Sequence, residues 1–184
     1  MEKDIREEIF AALKDGNSKQ EIFDKYKESE DNNVLRRFLA SRPSKEVKNK
    51  FKSLNRVIIV LWLAILLIEL LGILIEIDLL SVASILVTIF ILFKLDVFDG
   101  NIYMSSILWA GWGIFWILRE LTSLSTSLAP EEEEDIPLLL VTIAFFVLIK
   151  MIIIVCSLLI KRKAFPYYSW FQPKKDDQGN FQFE

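Results

Sequence analysis

The sequence contains no histidine and only one cysteine, and these absences exclude much familiar enzyme and metal chemistry. Without histidine, the chain lacks the commonest general base, the usual neutral metal ligand and the side chain that titrates near neutral pH. The single cysteine, Cys156, lies within an apolar run, where it is typical of a small buried residue. An intramolecular disulfide needs a second cysteine, so none is expected.

Short catalytic and cofactor motifs are also missing. The chain has no G-x-x-x-x-G-K for phosphates, no H-E-x-x-H for zinc, no G-x-S-x-G for a nucleophilic serine and no C-x-x-C. The sequence therefore predicts a protein that is not an enzyme and that binds no cofactor or metal.

Apolar residues are abundant, by contrast, and they are separated from the charged ones. They make up 53% of the 184 residues, and the mean hydropathy of +0.36 is too high for an ordinary water-soluble domain of this length. The chain still carries 22 Lys plus Arg and 25 Asp plus Glu. Charge kept apart from long apolar runs indicates an integral membrane protein.

Four apolar segments fall within the range of about 17–25 residues that a membrane-spanning helix needs. They cover about 57–75, 79–95, 102–118 and 137–160. The predicted fold is all-α, with a four-helix transmembrane bundle over 56–160. A small cytoplasmic helical domain over 1–55 precedes this bundle, and an interfacial aromatic and basic tail over 161–184 follows it.

The first 55 residues are polar and indicate three or four short helices. Ser18 and Glu21 have the spacing of a capping box, which predicts the start of the second helix. The order of helices and turn residues, with Arg36 and Arg37 on the third helix, is typical of a helix-turn-helix, so DNA binding is one alternative. We do not favour it, because 13 Lys plus Arg are balanced by 11 Asp plus Glu in this segment. A phosphate-binding surface needs a strongly basic face. A docking or oligomerisation module is the favoured interpretation.

Positive charge near the ends of the spans predicts that both termini lie in the cytoplasm. Basic residues flank the first and fourth spans, and the positive-inside rule marks such flanks as cytoplasmic. They are Arg42, Lys45, Lys48, Lys50, Lys52 and Arg56 before the first span, and Lys161, Arg162 and Lys163 after the fourth. Two flanks on one side require an even number of spans, which agrees with four. The inner membrane of a bacterium is the predicted location.

Two charged residues, Glu69 and Lys150, fall inside the predicted spans. A charge near the bilayer centre costs several kcal/mol unless it is paired or hydrated. With the helical rise, Glu69 lies about 18 Å beyond Val57 and Lys150 about 15 Å before Ile160, so their depths are similar. We therefore predict an intramembrane ion pair between them, which would make the first and fourth spans neighbours.

Small and hydroxyl-bearing residues recur at helical spacing within the spans and predict a polar seam where helices meet. Such side chains allow membrane helices to approach closely. The predicted seam consists of Gly72, Glu76, Ser81, Ser84, Thr88, Ser106, Ala110, Gly113 and Ser157. Helix packing is the favoured interpretation, and an ion or proton path is the alternative. Trp109, Trp112 and Trp116 form a stripe beside the seam, which suits either packing or a ligand platform.

The segment after the fourth span combines basic and aromatic residues. Such residues anchor helices at the membrane surface, where rings lie among headgroups and basic groups meet anionic lipid. The predicted anchors are Lys161, Arg162, Lys163, Tyr167, Tyr168 and Trp170. The rest of the tail suggests a short hairpin or a partner-binding segment. The acidic run 131–135 is typical of a solvated loop, with weak binding of divalent cations as the alternative.

Three functions fit these patterns. The favoured one is a non-enzymatic interaction or regulatory protein with a membrane or cytoplasmic protein partner or a second copy of itself. The first alternative is a small oligomeric ion or proton channel or transporter that uses Glu69 and Lys150. The second is a membrane-tethered DNA-binding regulator.

Overall fold

The computed structural model of the chain describes residues 3–75, 79–127, 136–169 and 171–183. Within these ranges it contains seven α-helices and no β-strand, so the predicted all-α class is confirmed. The helices are α1 Lys3–Asp15, α2 Lys19–Tyr26, α3 Asn32–Ala40, α4 Lys45–Ile75, α5 Leu79–Asp96, α6 Ile102–Ser127 and α7 Ile136–Ala164.

Helices α1 to α3 form a small unit that we call the head. Helix α2 begins at the predicted capping box, where the Glu21 N–H donates to Ser18 Oγ and the Ser18 N–H donates to the Glu21 carboxylate. Asp31 caps α3 by accepting from the backbone of Asn33 and Val34. These caps satisfy N–H groups that the first turn of a helix leaves free. The apolar faces meet through Ile9, Leu13, Ile22, Phe23, Leu35 and Leu39.

Helix α4 joins two segments that the sequence analysis separates. The fourth short helix and the first span form one continuous helix, Lys45–Ile75, so the predicted boundary between 55 and 56 falls inside it. No proline or glycine interrupts the chain from Lys45 to Leu71, so nothing local stops the helix between its polar and apolar parts. The polar and apolar parts of α4 are thereby joined by continuous helical backbone.

The four long helices form a closed bundle. Each helix packs against the next in chain order, and α7 also packs against α4, which closes the ring. The predicted proximity of the first and fourth apolar segments is therefore present. At the ends, α6 extends to Ser127 and α7 to Ala164, beyond the predicted limits of 118 and 160. Lys161, Arg162 and Lys163 accordingly lie in the last turn of α7.

Three helices of the described residues are long and apolar enough to cross a membrane, instead of the predicted four. They are parts of α4, α5 and α7, and most of each apolar stretch faces outward from the bundle. Leu74 and Leu79 are 80% and 87% exposed, for example. Helix α6 is less apolar because tryptophan, serine and glycine occupy much of it and Arg119 and Glu120 follow its apolar part.

The residues after α7 fold back over the head, and we call 165–183 the tail. Backbone hydrogen bonds from Lys174 to Tyr167 and from Gln182 to Lys174 hold it in two successive turns. Isolated antiparallel bridges pair Tyr168 with Pro173 and Lys175 with Phe181. The buried residues of head, tail and bundle belong to one continuous cluster. The predicted soluble domain and tail thus share a core with the bundle.

Candidate functional site

A cavity of about 540 Å³ lies among α4, α5, α6 and α7, in the half of the bundle away from the head. Most of its wall is apolar, from branched aliphatic side chains and tryptophans, and its charged groups are Glu69 and Lys150. A volume of this size is within the range of small-molecule sites in proteins. We call it the central cavity.

Glu69, on α4, reaches the central cavity with one of its two oxygens already engaged. The Ser84 hydroxyl on α5 donates to Glu69 Oε1 at 2.7 Å. Glu69 Oε2 is inaccessible to solvent and has no hydrogen-bond partner within the described residues. The predicted seam residue Ser84 therefore fixes the carboxylate and leaves its second oxygen unsatisfied.

Lys150, on α7, is 9% exposed and extends across α6 at Gly113. A Cβ at Gly113 would lie 2.5 Å from Lys150 Nζ and 2.9 Å from its Cε, so only glycine leaves room for this side chain. The ammonium lies 5.9 Å from the centre of the Trp62 ring, a cation–π contact. Gly113 thus accommodates a cation in addition to bringing two helices together.

The predicted ion pair between Glu69 and Lys150 is not formed. Glu69 and Lys150 are not among the salt bridges within 4 Å in the described part of the chain. Ser84 donates to the carboxylate at α5, and the lysine ammonium lies beside Gly113 of α6. Both side chains nevertheless line the same cavity. The two charges, which the sequence predicts at similar depth, therefore line one site without contacting each other.

Three tryptophans of α6 form one side of the central cavity, at Trp109, Trp112 and Trp116. The Trp112 and Trp116 rings meet edge to face at 5.9 Å, and the Arg119 guanidinium lies 4.6 Å from the Trp116 ring centre. Trp116 Nε1 is buried and has no acceptor within the described residues. An indole N–H usually finds an acceptor when it is buried. The tryptophan wall therefore carries a donor without a partner.

Towards the head, the central cavity is closed by a buried polar contact. Trp62 Nε1 on α4 donates to Ser106 Oγ on α6 at 2.9 Å, and Ser106 Oγ lies 3.5 Å from Ser157 Oγ on α7. All three residues and the adjacent Ala110 are 0% exposed. We call this contact the floor. It brings the predicted seam residues Ser106, Ala110 and Ser157 together and blocks the bundle between cavity and head.

The remaining residues of the predicted seam differ in burial and in their contacts. Thr88 is fully buried and its hydroxyl has no partner within the described residues, whereas Ser81 is half-buried. Gly72 is exposed, and no atom of the described residues lies within 4 Å of the position a Cβ would take, so it mediates no helix contact among them. Glu76 and the acidic run 131–135 lie outside the described residues.

A second polar centre joins the head to the turn between α5 and α6. Arg42, after α3, donates to the carbonyl of Val97 at 3.1 Å and to Asp99 Oδ2 at 3.3 Å. The Gly100 N–H donates to the Ser41 carbonyl at 2.9 Å, and Lys94 Nζ lies 3.6 Å from Asp99. Burial lowers the pKa of the Arg42 guanidinium, and the Asp99 carboxylate acts in the opposite direction. The pair holds the head against the bundle.

The tail is clamped between basic residues of the head. The Phe183 ring lies 5.2 Å from Phe23, and the Arg36 guanidinium contacts both rings, at 5.4 and 4.6 Å. Lys19 Nζ donates to the Phe183 carbonyl at 3.0 Å, and Arg36 donates to the Phe181 carbonyl at 3.3 Å. Arg36, part of the apparent helix-turn-helix, is thus engaged with the tail.

The predicted interfacial anchors divide into two groups. Arg162, Lys163 and Tyr167 are exposed, while Lys161 donates to the Ser169 carbonyl and Trp170 lies outside the described residues. Tyr168 is 5% exposed and belongs to the core, so it cannot be an interfacial anchor. Burial raises the pKa of the Tyr168 hydroxyl. At this point the tail packs on protein, beside Arg37, Ser41 and Asn101.

Asp99 and Phe183 are structurally important residues that no sequence pattern marks. Arg42 is predicted only as part of the basic flank, because its partner Asp99 is 57 residues away and no local pattern marks the pair. In the described part of the chain, no group of three or more potential ligands could hold a metal ion. No protein family model, curated protein or solved structure matches the chain.

Proposed function

We propose that the chain is a multi-pass membrane protein with four spans, both ends of which lie in the cytoplasm, and that it acts as a non-enzymatic interaction or regulatory protein. The head and tail together form its cytoplasmic interaction unit. A bacterial inner membrane is the proposed location, and a membrane or cytoplasmic protein or a second copy of the chain is the proposed partner.

Contact between head and tail supports the four-span arrangement. The head precedes α4 and the tail follows α7, yet Lys19 and Phe183 are hydrogen-bonded across 164 residues. Segments in contact must lie on the same side of a membrane, which requires an even number of crossings. Helices α4, α5 and α7 are three candidate spans. An even number of crossings requires a fourth, and we assign it to α6. Its Trp62–Ser106 bond to α4 places it within the bundle.

The joined head and tail are the observation that carries the regulatory proposal. The tail closes over α2 and α3, and Arg42 connects the same unit to the bundle through Asp99. A partner that binds the head therefore meets a surface whose shape depends on both tail and bundle. This arrangement also disfavours DNA binding, because Arg36 is held between two phenylalanine rings.

The test is photo-crosslinking in native membranes from position 34, where Val34 is 41% exposed on the head. We expect a discrete crosslinked adduct with a protein. Phe183→Ala releases the tail, so in this variant the adduct should disappear or be replaced by a different one. Phe171→Ala is the matched control, because Phe171 is 48% exposed, and it should keep the adduct. The proposal fails if no discrete adduct forms, or if both variants give the same adduct as the original chain.

An ion or proton channel is the second candidate, since Glu69 and Lys150 line one cavity. The buried floor opposes a continuous path through one copy of the chain, because it closes the bundle on the head side. Proteoliposomes distinguish the two functions. We expect no ion or proton flux above that of empty vesicles. Flux that Glu69→Gln abolishes would establish transport in its place.

A further inference from the structure

The central cavity holds two opposite charges that do not neutralise one another directly. Glu69 enters it from α4 and Lys150 from α7, more than 4 Å apart, and open space of about 540 Å³ adjoins both. A charge this far inside a helical membrane protein is costly unless it is paired or hydrated, and such residues commonly mark functional sites. The two charges thus border the same open space without forming a direct ion pair.

Three polar groups on the cavity wall also lack hydrogen-bond partners among the described residues. Lys150 is more than nine-tenths buried, and its ammonium reaches the cavity with no oxygen partner. Glu69 Oε2 and Trp116 Nε1 are buried and unsatisfied. Buried polar groups in proteins are nearly always hydrogen-bonded, so each exception calls for an explanation. The Lys150 ammonium borders this space, whereas Glu69 Oε2 and Trp116 Nε1 are enclosed by protein and meet a ligand only if their side chains turn towards it.

Charge complementarity restricts what can satisfy these groups. A ligand that is only a cation would be repelled by Lys150, and one that is only an anion would be repelled by Glu69. A molecule that carries both charges can place its anionic group at Lys150 and its cationic group at Glu69, and so avoids both repulsions. The tryptophans and aliphatic side chains of the wall, Trp109, Trp112, Ile65 and Ile68 among them, require that the rest of the molecule be apolar.

We propose that the central cavity binds a small zwitterion with an apolar body, of the class of apolar α-amino acids. Its ammonium meets the Glu69 carboxylate, its carboxylate meets Lys150, and its side chain lies on the tryptophan wall. Charge-assisted hydrogen bonds of this kind are about twice as strong as neutral ones. The floor stops the ligand from passing towards the head, so the cavity is a binding site and not a pore.

A soluble zwitterion fits the site better than the headgroup of a zwitterionic lipid. Along their helices, Glu69 and Lys150 lie about 15–18 Å from the cytoplasmic ends of the apolar segments, near the middle of a core about 30 Å thick. Lipid headgroups lie at the surface, so one would have to be drawn to the bilayer centre. This argument uses the four-span arrangement proposed above, which cysteine labelling tests separately.

The experiment uses the full chain in nanodiscs of phosphatidylcholine and follows tryptophan fluorescence, because three of the five tryptophans line the cavity. The probes are L-phenylalanine and two analogues with the same ring, phenethylamine as the cation and 3-phenylpropionate as the anion. We expect a saturable change with L-phenylalanine. Each analogue should bind at least about tenfold more weakly, since it lacks one of the two charge contacts.

Two sets of variants test the geometry. Glu69→Gln and Lys150→Met should each weaken binding of L-phenylalanine by at least about tenfold, while Lys163→Met, at an exposed position of the same helix, should not. Gly113→Ala should also weaken binding, because its methyl group displaces the Lys150 ammonium. Gly111→Ala is the matched control, since no atom in the described part of the chain lies within 4 Å of its Cβ position.

Several outcomes would overturn the proposal. One is that either analogue binds as tightly as L-phenylalanine. Another is that Glu69→Gln or Lys150→Met binds L-phenylalanine as tightly as the unchanged chain does. A third is that L-phenylalanine, L-leucine and L-methionine all fail to give a saturable change in fluorescence. A change that appears only when phosphatidylethanolamine is added to the nanodisc would identify a lipid as the occupant and equally contradict it. If cysteine labelling contradicts four spans while amino-acid binding is intact, the membrane depth of Glu69 and Lys150 no longer disfavours a lipid headgroup. The proposed ligand class is then still supported by the binding itself.

Discussion

Arg42 donates to the Asp99 carboxylate across 3.3 Å, and this buried pair ties the end of the head to the turn between α5 and α6. Only about a tenth of either side chain is exposed. The guanidinium also lies over the Phe10 and Phe38 rings of the head, at 4.7 and 5.5 Å from their centres. One cation therefore connects an aromatic cluster in the head to a carboxylate of the bundle.

Asp99→Ala is expected to destabilise the protein strongly. It removes the main anion near Arg42 and leaves a buried cation unpaired, which typically costs about 3–5 kcal/mol. Thermal unfolding of the purified chain in one detergent measures the change. Lys27→Ala is the control, because the Lys27–Asp24 pair is exposed and should contribute little. Equal unfolding temperatures for the two variants would contradict the role given to Asp99.

Phe183→Ala is expected to release the tail while leaving the bundle folded. Phe183 is 5% exposed, and removing a buried phenylalanine ring costs about 3–5 kcal/mol. Hydrogen exchange checks this directly, because the amides of Lys174 and Gln182 are hydrogen-bonded within the tail. Both should lose protection in Phe183→Ala and keep it in Phe171→Ala. Unchanged protection in Phe183→Ala would show that the ring does not hold the tail.

Cysteine labelling with a membrane-impermeant reagent tests the number of spans. The single natural cysteine is replaced by Cys156→Ser, and single cysteines are introduced at Asn17, Gln178 and Thr122. With four spans, positions 17 and 178 should react only after the cells are permeabilised, and position 122 should react in intact cells. If α6 did not cross, positions 17 and 178 would lie on opposite sides of the membrane.

Local patterns predicted much of the secondary structure. The Ser18–Glu21 capping box is present as expected, because a cap depends only on residues within one turn of a helix. The boundary predicted at 55 lies inside α4, because polarity changes there while helix propensity does not. Composition reveals which part of a helix is apolar, but not where the helix begins.

The candidate site was predicted only in part. Charge within long apolar segments identified Glu69 and Lys150, and small-residue spacing identified Ser84 and Gly113. The sequence could not reveal that Ser84 and Gly113 hold the two charges apart, because this depends on how α5 and α6 rotate against their neighbours. Tyr168 was misassigned for a similar reason. An aromatic ring beside basic residues suits a membrane surface and a protein core equally well, and only the position of the head decides between them.

The clamp on Phe183 has a consequence for the order of synthesis. A ribosome makes the head first, but Phe183 emerges only after every residue of α4 to α7. Until then the apolar surface around Phe23 and the carbonyl-binding ends of Lys19 and Arg36 stay uncovered. Closure of the head by the tail therefore requires that every residue of the bundle has already been made. A chain whose synthesis stops within α7 would leave this surface open to chaperones and proteases.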